Sequence, residues 1–428
     1  MNPAQSSLDT TQPPGGRRGA GAGLSPWRFI VSFGVVSLLM DFVYEGARSI
    51  TGPLLASLGA SGLLIGIVTG VGESAALGLR VFSGPLANRS GRFWTWTIVG
   101  YVLTAVTVPL MGLSSILWVV CGLVIAERVG KAVRSPAKDT LVSHATASTG
   151  RGKGFAVHEA MDQTGALIGP LTVAAILALT GDDYAPALGI LVLPGIAAVA
   201  LLFWLRARVP NPVDYETDAK SEAPGASQPA TEAGEPVPVA GTGAGAGLSL
   251  PRQFWIYAGF TAATMGGFAT FGVVSFHLVQ HHLIPTAAVP VVYAGAMAAD
   301  AVAALATGWF YDRIGSKTLA VLPAVALAST LLAFVSHAWV AIIGALLWGA
   351  AVGIQDSTLR ATVADMIPVH HRATAYGLYA GVMGAATFIG GALTGALYDV
   401  SVPLLVIVVA AIQASALALL WIARRRTS

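Results

Sequence analysis

The chain is poor in charge. Only 11% of its 428 residues are Asp, Glu, Lys or Arg, against about 25% in a soluble domain. Hydrophobic residues make up 55%, and the mean hydropathy is +0.71. This balance excludes an ordinary water-soluble domain and indicates a chain that lives in a bilayer. Cysteine is nearly absent. Cys121 stands alone, so no internal disulfide can form, and its apolar surroundings mark it as a small packed residue. No Cys/His run has zinc spacing. The pairs His281-His282 and His370-His371 are adjacent, so each would splay around a helix instead of converging on an ion. No metal and no cofactor are expected. The Gly-x4-Gly-Lys-Ser/Thr loop of ATP-driven machines is missing, as is the Gly-x-Ser-x-Gly elbow of hydrolases. The chain is expected to be neither an enzyme nor a nucleic-acid binder. Residues 1–26 are polar and rich in Gly and Pro, and the apolar run from Phe29 is too long for the core of a cleaved signal.

What is present is a series of long apolar runs. Segments near the ~20 residues that cross a bilayer fall at 29–58, 62–86, 93–113, 115–142, 154–179 and 185–206, then at 253–281, 287–311, 317–336, 338–367, 372–399 and 401–423. The expected fold is all-α, with twelve transmembrane helices in two six-helix bundles, 27–206 and 251–424. Residues 1–26 and 425–428 are expected to be tails. The Pro/Ala/Gly/Glu-rich stretch 207–250 is expected to be a disordered linker.

Lys and Arg set the orientation. They occur before the first span (Arg17, Arg18, Arg28), after the second (Arg89, Arg92), around the fourth-to-fifth turn (Lys138, Arg151, Lys153), along the linker (Arg206, Arg208, Lys220, Arg252), and at Arg313, Lys317, Arg372 and Arg424 to Arg426. The alternate loops carry none, and show Asp182, Asp183 and Asp399 instead. Both termini and the linker should therefore be cytoplasmic, in a multi-pass protein of a bacterial inner membrane.

The charges inside the spans carry the functional signal. Glu127, Lys131 and Arg134 continue an apolar run and share one helical face at i, i+4, i+7. A charge at the bilayer centre costs about 3 kcal/mol on insertion scales, so such a face turns toward a bundle interior or a wet cavity. Asp41, Glu45 and Arg48 repeat this spacing on the first span, and Glu73 and Arg80 lie seven apart on the second. His158, Glu159 and Asp162 crowd the fifth, Asp300 lies on the eighth, and Asp356 and Arg360 lie one turn apart on the tenth. Glu73 and Asp300 lack a base one turn away on their own helices. A carboxyl desolvated without a partner holds its proton more firmly, which suits proton carriage. The proton-coupling candidates are Asp41, Glu45, Glu73, Glu127, Asp162 and Asp300. The cavity candidates are Tyr44, Arg48, Arg80, Lys131, Arg134, His158, Asp356 and Arg360. Each has a plainer reading: structural ion pairs for Asp41/Glu45/Arg48 and Glu73/Arg80, snorkelling or capping for Arg134, and packing for His158. Trp94, Trp96, Trp255 and Trp421 lie near span ends and read as interface anchors.

The halves repeat each other. Gly84-Pro-Leu-Ala-Asn88-Arg89-Ser-Gly91-Arg92 matches Gly308-Trp-Phe-Tyr-Asp312-Arg313-Ile-Gly315, and Arg134-x4-Asp139 matches Arg360-x4-Asp365. These two loops resemble the signature loops of the major facilitator superfamily. The resemblance implies two pseudo-symmetric bundles around a central site, and says little of the cargo. In that family the loop acid latches the cytoplasmic gate. Asn88 stands where the acid is expected, so the resemblance implies a weaker latch on that half. Glu127-Arg128-Val-Gly130 matches the family's basic fourth-helix motif, often tied to proton coupling. Gly165, Gly169 and Pro170 resemble the core of the helix-packing motif of exporters, with Ala156 and Ala174 in place of flanking glycines. The resemblance is to a bacterial, efflux-like, proton-coupled branch. The expected function is alternating-access export of a small polar anionic or zwitterionic solute against protons, by a monomer in a lipid bilayer. Two alternatives stay open: proton-coupled uptake of a metabolite or metal-chelate, and a membrane interaction protein that transports nothing.

Overall fold

The computed structural model describes residues 24–149, 151–215, 251–366 and 372–425. Described residues are helical throughout, with no strand among them. Ten helical segments are long and apolar enough to cross a membrane. Two further helices complete the expected twelve. Leu117–Thr149 has the length but carries Glu127, Arg128, Lys131 and Arg134, and Lys317–Ala333 is shorter.

In chain order the first bundle holds α1 (Pro26–Ser57), α2 (Gly62–Gly78), α3 (Arg80–Ser90), α4 (Phe93–Leu113), α5 (Leu117–Thr149), α6 (Arg151–Thr180), α7 (Tyr184–Gly189) and α8 (Val192–Arg208). The second holds α9 (Arg252–Gly266), α10 (Phe271–Gln280), α11 (Val289–Ile314), α12 (Val321–Ala333), α13 (Ala338–Met366), α14 (Arg372–Val400) and α15 (Val402–Arg425). Three spans are broken: the second at Leu79, the sixth near Ile190 and the seventh over Gly267–Thr270. In lipid a break is tolerated only if the freed carbonyls find donors. At the seventh they do. Trp348 Nε1 donates to Ala269 O at 2.8 Å, and Gln413 Nε2 donates to Thr264 O at 3.0 Å.

Lipid gives helices no hydrophobic reason to associate, so close packing comes from small residues. On α6, a Cβ at Gly165 would strike the carbonyl of Leu38, and one at Gly169 that of Phe42. These glycines let α6 lie against α1, with Pro170 following in the same helix. Gly100 and Gly130 do the same for α4 and α5, and Gly349 does so against Ala296 for α13 and α11. The surface facing outward is apolar, including Leu179, Leu305 and Trp339, each about four-fifths exposed. That exposure suits acyl chains and not water. Trp255 and Trp421 are also half-exposed. Trp94 departs from the expected interface position. It is buried against Phe29 and Phe33, and its Nε1 donates to Pro210 O at 3.1 Å. The polypeptide beyond α8 folds back over it and supplies the carbonyl.

The bundles meet most closely at the end away from the termini. There Gly62, Gly66 and Gly70 of α2 face Gly395, Gly391 and Phe388 of α14, backbone against backbone. Gly52 of α1 lies equally close to Gly272 of α10. The Asp399 carboxylate crosses the seam and accepts from the Gly62 and Leu63 amides at 2.9 and 2.8 Å, capping the start of α2 from the opposite bundle. Ser61 supplies the local cap, accepting from Leu64 N.

Candidate functional site

Between the bundles lies a two-lobed cavity. One lobe, of about 180 Å³, is lined by Tyr44, Arg48, Glu73, Arg80, Arg128 and Lys131 from the first bundle, and by Phe268, Phe271, Trp348, Gln355 and Asp356 from the second. The other, of about 250 Å³, is lined by Asp41, Glu45, Asp162 and Asp300 together with Lys138 and Arg134. Arg48, Arg80, Lys131, Val352 and Asp356 line both, so the lobes share a neck. A third apolar recess, walled by Leu77, Tyr376, Tyr379 and Met383, continues from Arg80 and Asp356 along the first turns of α14. It leads toward the end that bears the termini.

The ion pairs run between helices. Glu73 accepts from Arg48 Nη2 at 2.7 Å and lies 3.5 Å from Arg128 Nη2. Arg48 also sits 3.6 Å from Glu45. Tyr293 of α11 donates to Glu45, joining the two bundles through one hydrogen bond. Lys138 Nζ lies 3.4 Å from Asp162 Oδ2. Three cations cluster on aromatic faces. Arg128 and Lys131 lie 4.5 and 3.9 Å from the Tyr44 centroid, and Arg134 lies 4.8 Å from that of Tyr101. Such contacts stabilise a buried cation by up to about 2 kcal/mol when it is desolvated. They explain how so many bases stand in one cavity.

The structure brings together most of the residues singled out from the sequence, with several corrections. Glu73 lacks a base on its own helix, but it is not partnerless. Helix packing brings it Arg48 from α1 and Arg128 from α5. Glu127 lines neither lobe. Its Oε2 faces Arg128 Nε at 3.4 Å, and its Oε1 is buried without a hydrogen bond. Arg134 does not snorkel. It is buried, with Nη1 donating to Thr104 Oγ1 at 2.8 Å. His158 does not reach the cavity. Its ring packs on Phe33, with Nε2 3.2 Å from Ser37 Oγ and 3.8 Å from Asp162. Asp356 lines both lobes, while the side chains of Arg360 and Asp365 and the pair His370-His371 lie outside what is described, as do most of both tails and residues 216–250. Asp41, Asp300 and Asp356 make no ion pair among the described residues.

In the two signature loops, Gly91 and Gly315 take positive φ of 63° and 62°, a conformation glycine adopts freely. Gly84 packs near Pro136, and a Cβ on Gly308 would meet open space. Asn88, Arg89, Arg92 and Asp312 are exposed, and Arg313 stacks on Trp309 at 3.5 Å. Asp312 makes no ion pair among the described residues.

Sequence reasoning named Arg128 in the fourth-helix motif but not among the site candidates, and it missed Tyr293, Trp348, Phe268 and Asp399 as site residues. Arg128 left a trace, since it stands three residues before Lys131 on the same charged helix. Trp348 left none. In a single sequence it looks like Trp339, which is four-fifths exposed.

The chain matches the family model described as Major Facilitator Superfamily over residues 33–298 and 256–428. It belongs to the major facilitator superfamily. It is 61% identical to the Uncharacterized protein Rv2265 of Mycobacterium tuberculosis over 401 residues, 94% of each chain. A shorter stretch of 139 residues is 32% identical to the Uncharacterized MFS-type transporter MJ1317 of Methanocaldococcus jannaschii, covering 32% of this chain and 34% of that one. Among solved structures, the nucleoside transporter NupG superposes with a TM-score of 0.69 over 93% of this chain and 98% of that chain, at 14% identity. At that identity the likeness concerns the fold. The protein is thus a multi-pass membrane transporter of this superfamily.

Proposed function

We propose that the chain is a secondary active transporter that moves a small, charged polar organic solute by alternating access, in exchange for protons and in the outward direction. The supporting observation is the cavity. Acids and bases from α1, α2, α5 and α6 converge on a hollow between the bundles, at a depth where an unpartnered charge costs several kcal/mol. Asp41 and Asp300 face that hollow without ion-pair partners among the described residues, which makes them the leading proton carriers. Protonating either removes a buried negative charge and changes which bundle arrangement is favoured. Glu45 is the link to the second bundle, through Tyr293. With the termini placed in the cytoplasm, the glycine-lined seam closes the outer side and the recess by Tyr376 and Tyr379 opens inward. The close approach of Gly165 and Gly169 to α1 supports the exporter-like reading and hence the direction. The two bundles, with the 207–250 linker between them, act as the rocking units of a monomer.

Two measurements test this. Spin labels at Ser115 and Ser336, on loops at the sealed end of the two bundles, and at Lys153 and Lys317, at the other end, report both openings. A Cys121→Ala background leaves only the introduced thiols. Alternating access requires the two distances to change in opposite senses between neutral and acidic buffer. Fixed distances at both ends would leave the non-transporting interaction protein as the better reading. In proteoliposomes, solute that accumulates inside when the outside is acidic would reverse the proposed direction.

A further inference from the structure

The two lobes have opposite charge. The smaller has four bases, Arg48, Arg80, Arg128 and Lys131, against two acids, Glu73 and Asp356. The larger has seven acids against five bases. Of those five, Lys138 is engaged by Asp162, Arg134 by Thr104 and Tyr101, and Arg48 by Glu73 and Glu45. Asp41 and Asp300 remain without ion pairs among the described residues. A solute of one sign would gain in one lobe and lose in the other.

The apolar surface is divided in the same way. The cationic lobe alone carries an aromatic wall. Phe268 and Trp348 stack with planes 2° apart at 6.1 Å, and Phe271 packs on Trp348 at 5.3 Å. The Trp348 ring is pinned by its bond to the Ala269 carbonyl at the α9/α10 break. The Arg48 guanidinium lies 5.9 Å from the Trp348 centroid, so positive charge and ring surface adjoin. Apolar area is scarce in the acidic lobe, where Tyr101, Ala166, Met297 and Val352 stand among charged side chains. Either lobe alone falls below the ~300–1,000 Å³ usual for ligand pockets, and only the pair reaches that range.

We infer that the cargo is a zwitterion with a flat apolar ring, the ring and anionic group lying side by side in the Arg80/Lys131/Trp348 lobe and a cationic amine reaching past the neck to Asp41 and Asp300. The inference rests on the transport reading above for the word cargo. The site itself is defined by charge and shape. It also specifies an order along the molecule: ring beside anion, cation several bonds away. A molecule with the ring beside the cation would force an aromatic group into the charged lobe.

Glycyl-phenylalanine has the required order and serves as the probe. Three relatives each break one element. N-acetyl-glycyl-phenylalanine lacks the cation, glycyl-phenylalanine amide lacks the anion, and phenylalanyl-glycine places the ring beside the cation. Binding is measured on the purified full chain by thermal stabilisation and calorimetry. Glycyl-phenylalanine is expected to bind at least about tenfold more tightly than each of the others. Arg80→Gln should erase the preference over the amide and keep the preference over the acetylated form, and Asp300→Asn should do the reverse. Retention of one preference in each variant shows that the variant is folded. Equal binding of all four probes, or binding of none at millimolar concentration, overturns the inference. The spin-label distances are independent of these results. Loops that alternate in a protein that ignores the peptides leave transport standing and remove the zwitterion. Fixed loops in a protein that ranks the peptides as stated keep the site and remove transport.

Discussion

Asp399→Ala tests how the sealed arrangement is held. The Asp399 carboxylate accepts from two backbone amides of the opposite bundle, Gly62 N at 2.9 Å and Leu63 N at 2.8 Å. Both donors belong to the first turn of α2, where the helix dipole favours negative charge. Hydrogen bonds to a charged group contribute about 1.5–3 kcal/mol each in net terms, and a lost helix cap costs about 1 kcal/mol. Partial access to water and the retained Ser61 cap argue for the lower end, so we take about 2 kcal/mol for the pair of bonds. The contact crosses the seam, so it stabilises the sealed arrangement and is absent once the bundles part at that end. Its loss should therefore shift the equilibrium about 30-fold toward the arrangement open at the Ser115/Ser336 end. A population sealed about 99 times in 100 would fall to about three in four. Double electron–electron resonance on the labelled pairs would show a new longer Ser115–Ser336 distance and a shorter Lys153–Lys317 distance. An unchanged distribution at both pairs would mean that the carboxylate caps α2 without holding the bundles together. Asp399→Asn, which can still accept one bond, should fall between.

Glu73→Gln should destabilise the protein by about 3 kcal/mol, the lower end for breaking a buried ion pair, because Arg48 and Arg128 then face each other without the acid between them. Unfolding can be followed through dye capture by buried Cys121, and adding Arg128→Gln should recover part of the loss; full stability of Glu73→Gln would contradict the shared-acid arrangement. Gly66→Leu should prevent the seam from closing, since even its Cβ would strike the Gly391 carbonyl, and should lock the labels in the arrangement open at the Ser115/Ser336 end. Tyr293→Phe removes the hydrogen bond between the bundles at Glu45; the pH-dependent change in label distances should shrink while the ranking of the peptides is kept. Trp348→Ala should weaken glycyl-phenylalanine by about 30-fold or more, in line with the ~2 kcal/mol or more of a well-packed aromatic contact, and leave acidic-lobe selectivity intact.

Much of this was legible because membrane folding is restrictive. Lengths of apolar runs placed the spans, since only helices satisfy the backbone in lipid. The period of charges on α1 and α5 placed Asp41, Glu45, Arg48, Lys131 and Arg134 on inward faces, and the structure puts all five on the cavity. Periodicity names a face and not a neighbour. That is why Glu73 looked unpaired when its bases come from α1 and α5. It is also why His158 looked like a cavity residue when it turns to Ser37. Helix breaks were equally hidden. The α9/α10 break depends on Trp348 and Gln413, far along the chain, to satisfy its carbonyls. Trp94 was misplaced for the same reason, since its partner carbonyl at Pro210 belongs to a segment that looks like linker.

The two bundles have diverged in what they contribute. The first bundle holds a connected set of charges: Glu45 to Arg48 to Glu73 to Arg128 to Glu127, and separately Lys138 to Asp162. Removing or adding one charge there is felt along the chain of pairs, because each base is shared between acids. The second bundle offers an aromatic plate and few charges, and is tied to that network by Tyr293 and, at the seam, by the Thr69–Thr270 hydroxyl pair at 2.7 Å. A proton arriving at Asp300 would be sensed across the cavity by the first bundle's bases, while one arriving at Asp41 acts within that bundle directly. On the proposed reading the cargo's amine and the proton compete for the same acids, Asp41 and Asp300, while Arg80 and Lys131 at the neck face the cargo's anion. Competition at one pair of acids is the simplest physical basis for exchange, because a carboxyl that holds a proton no longer attracts the amine.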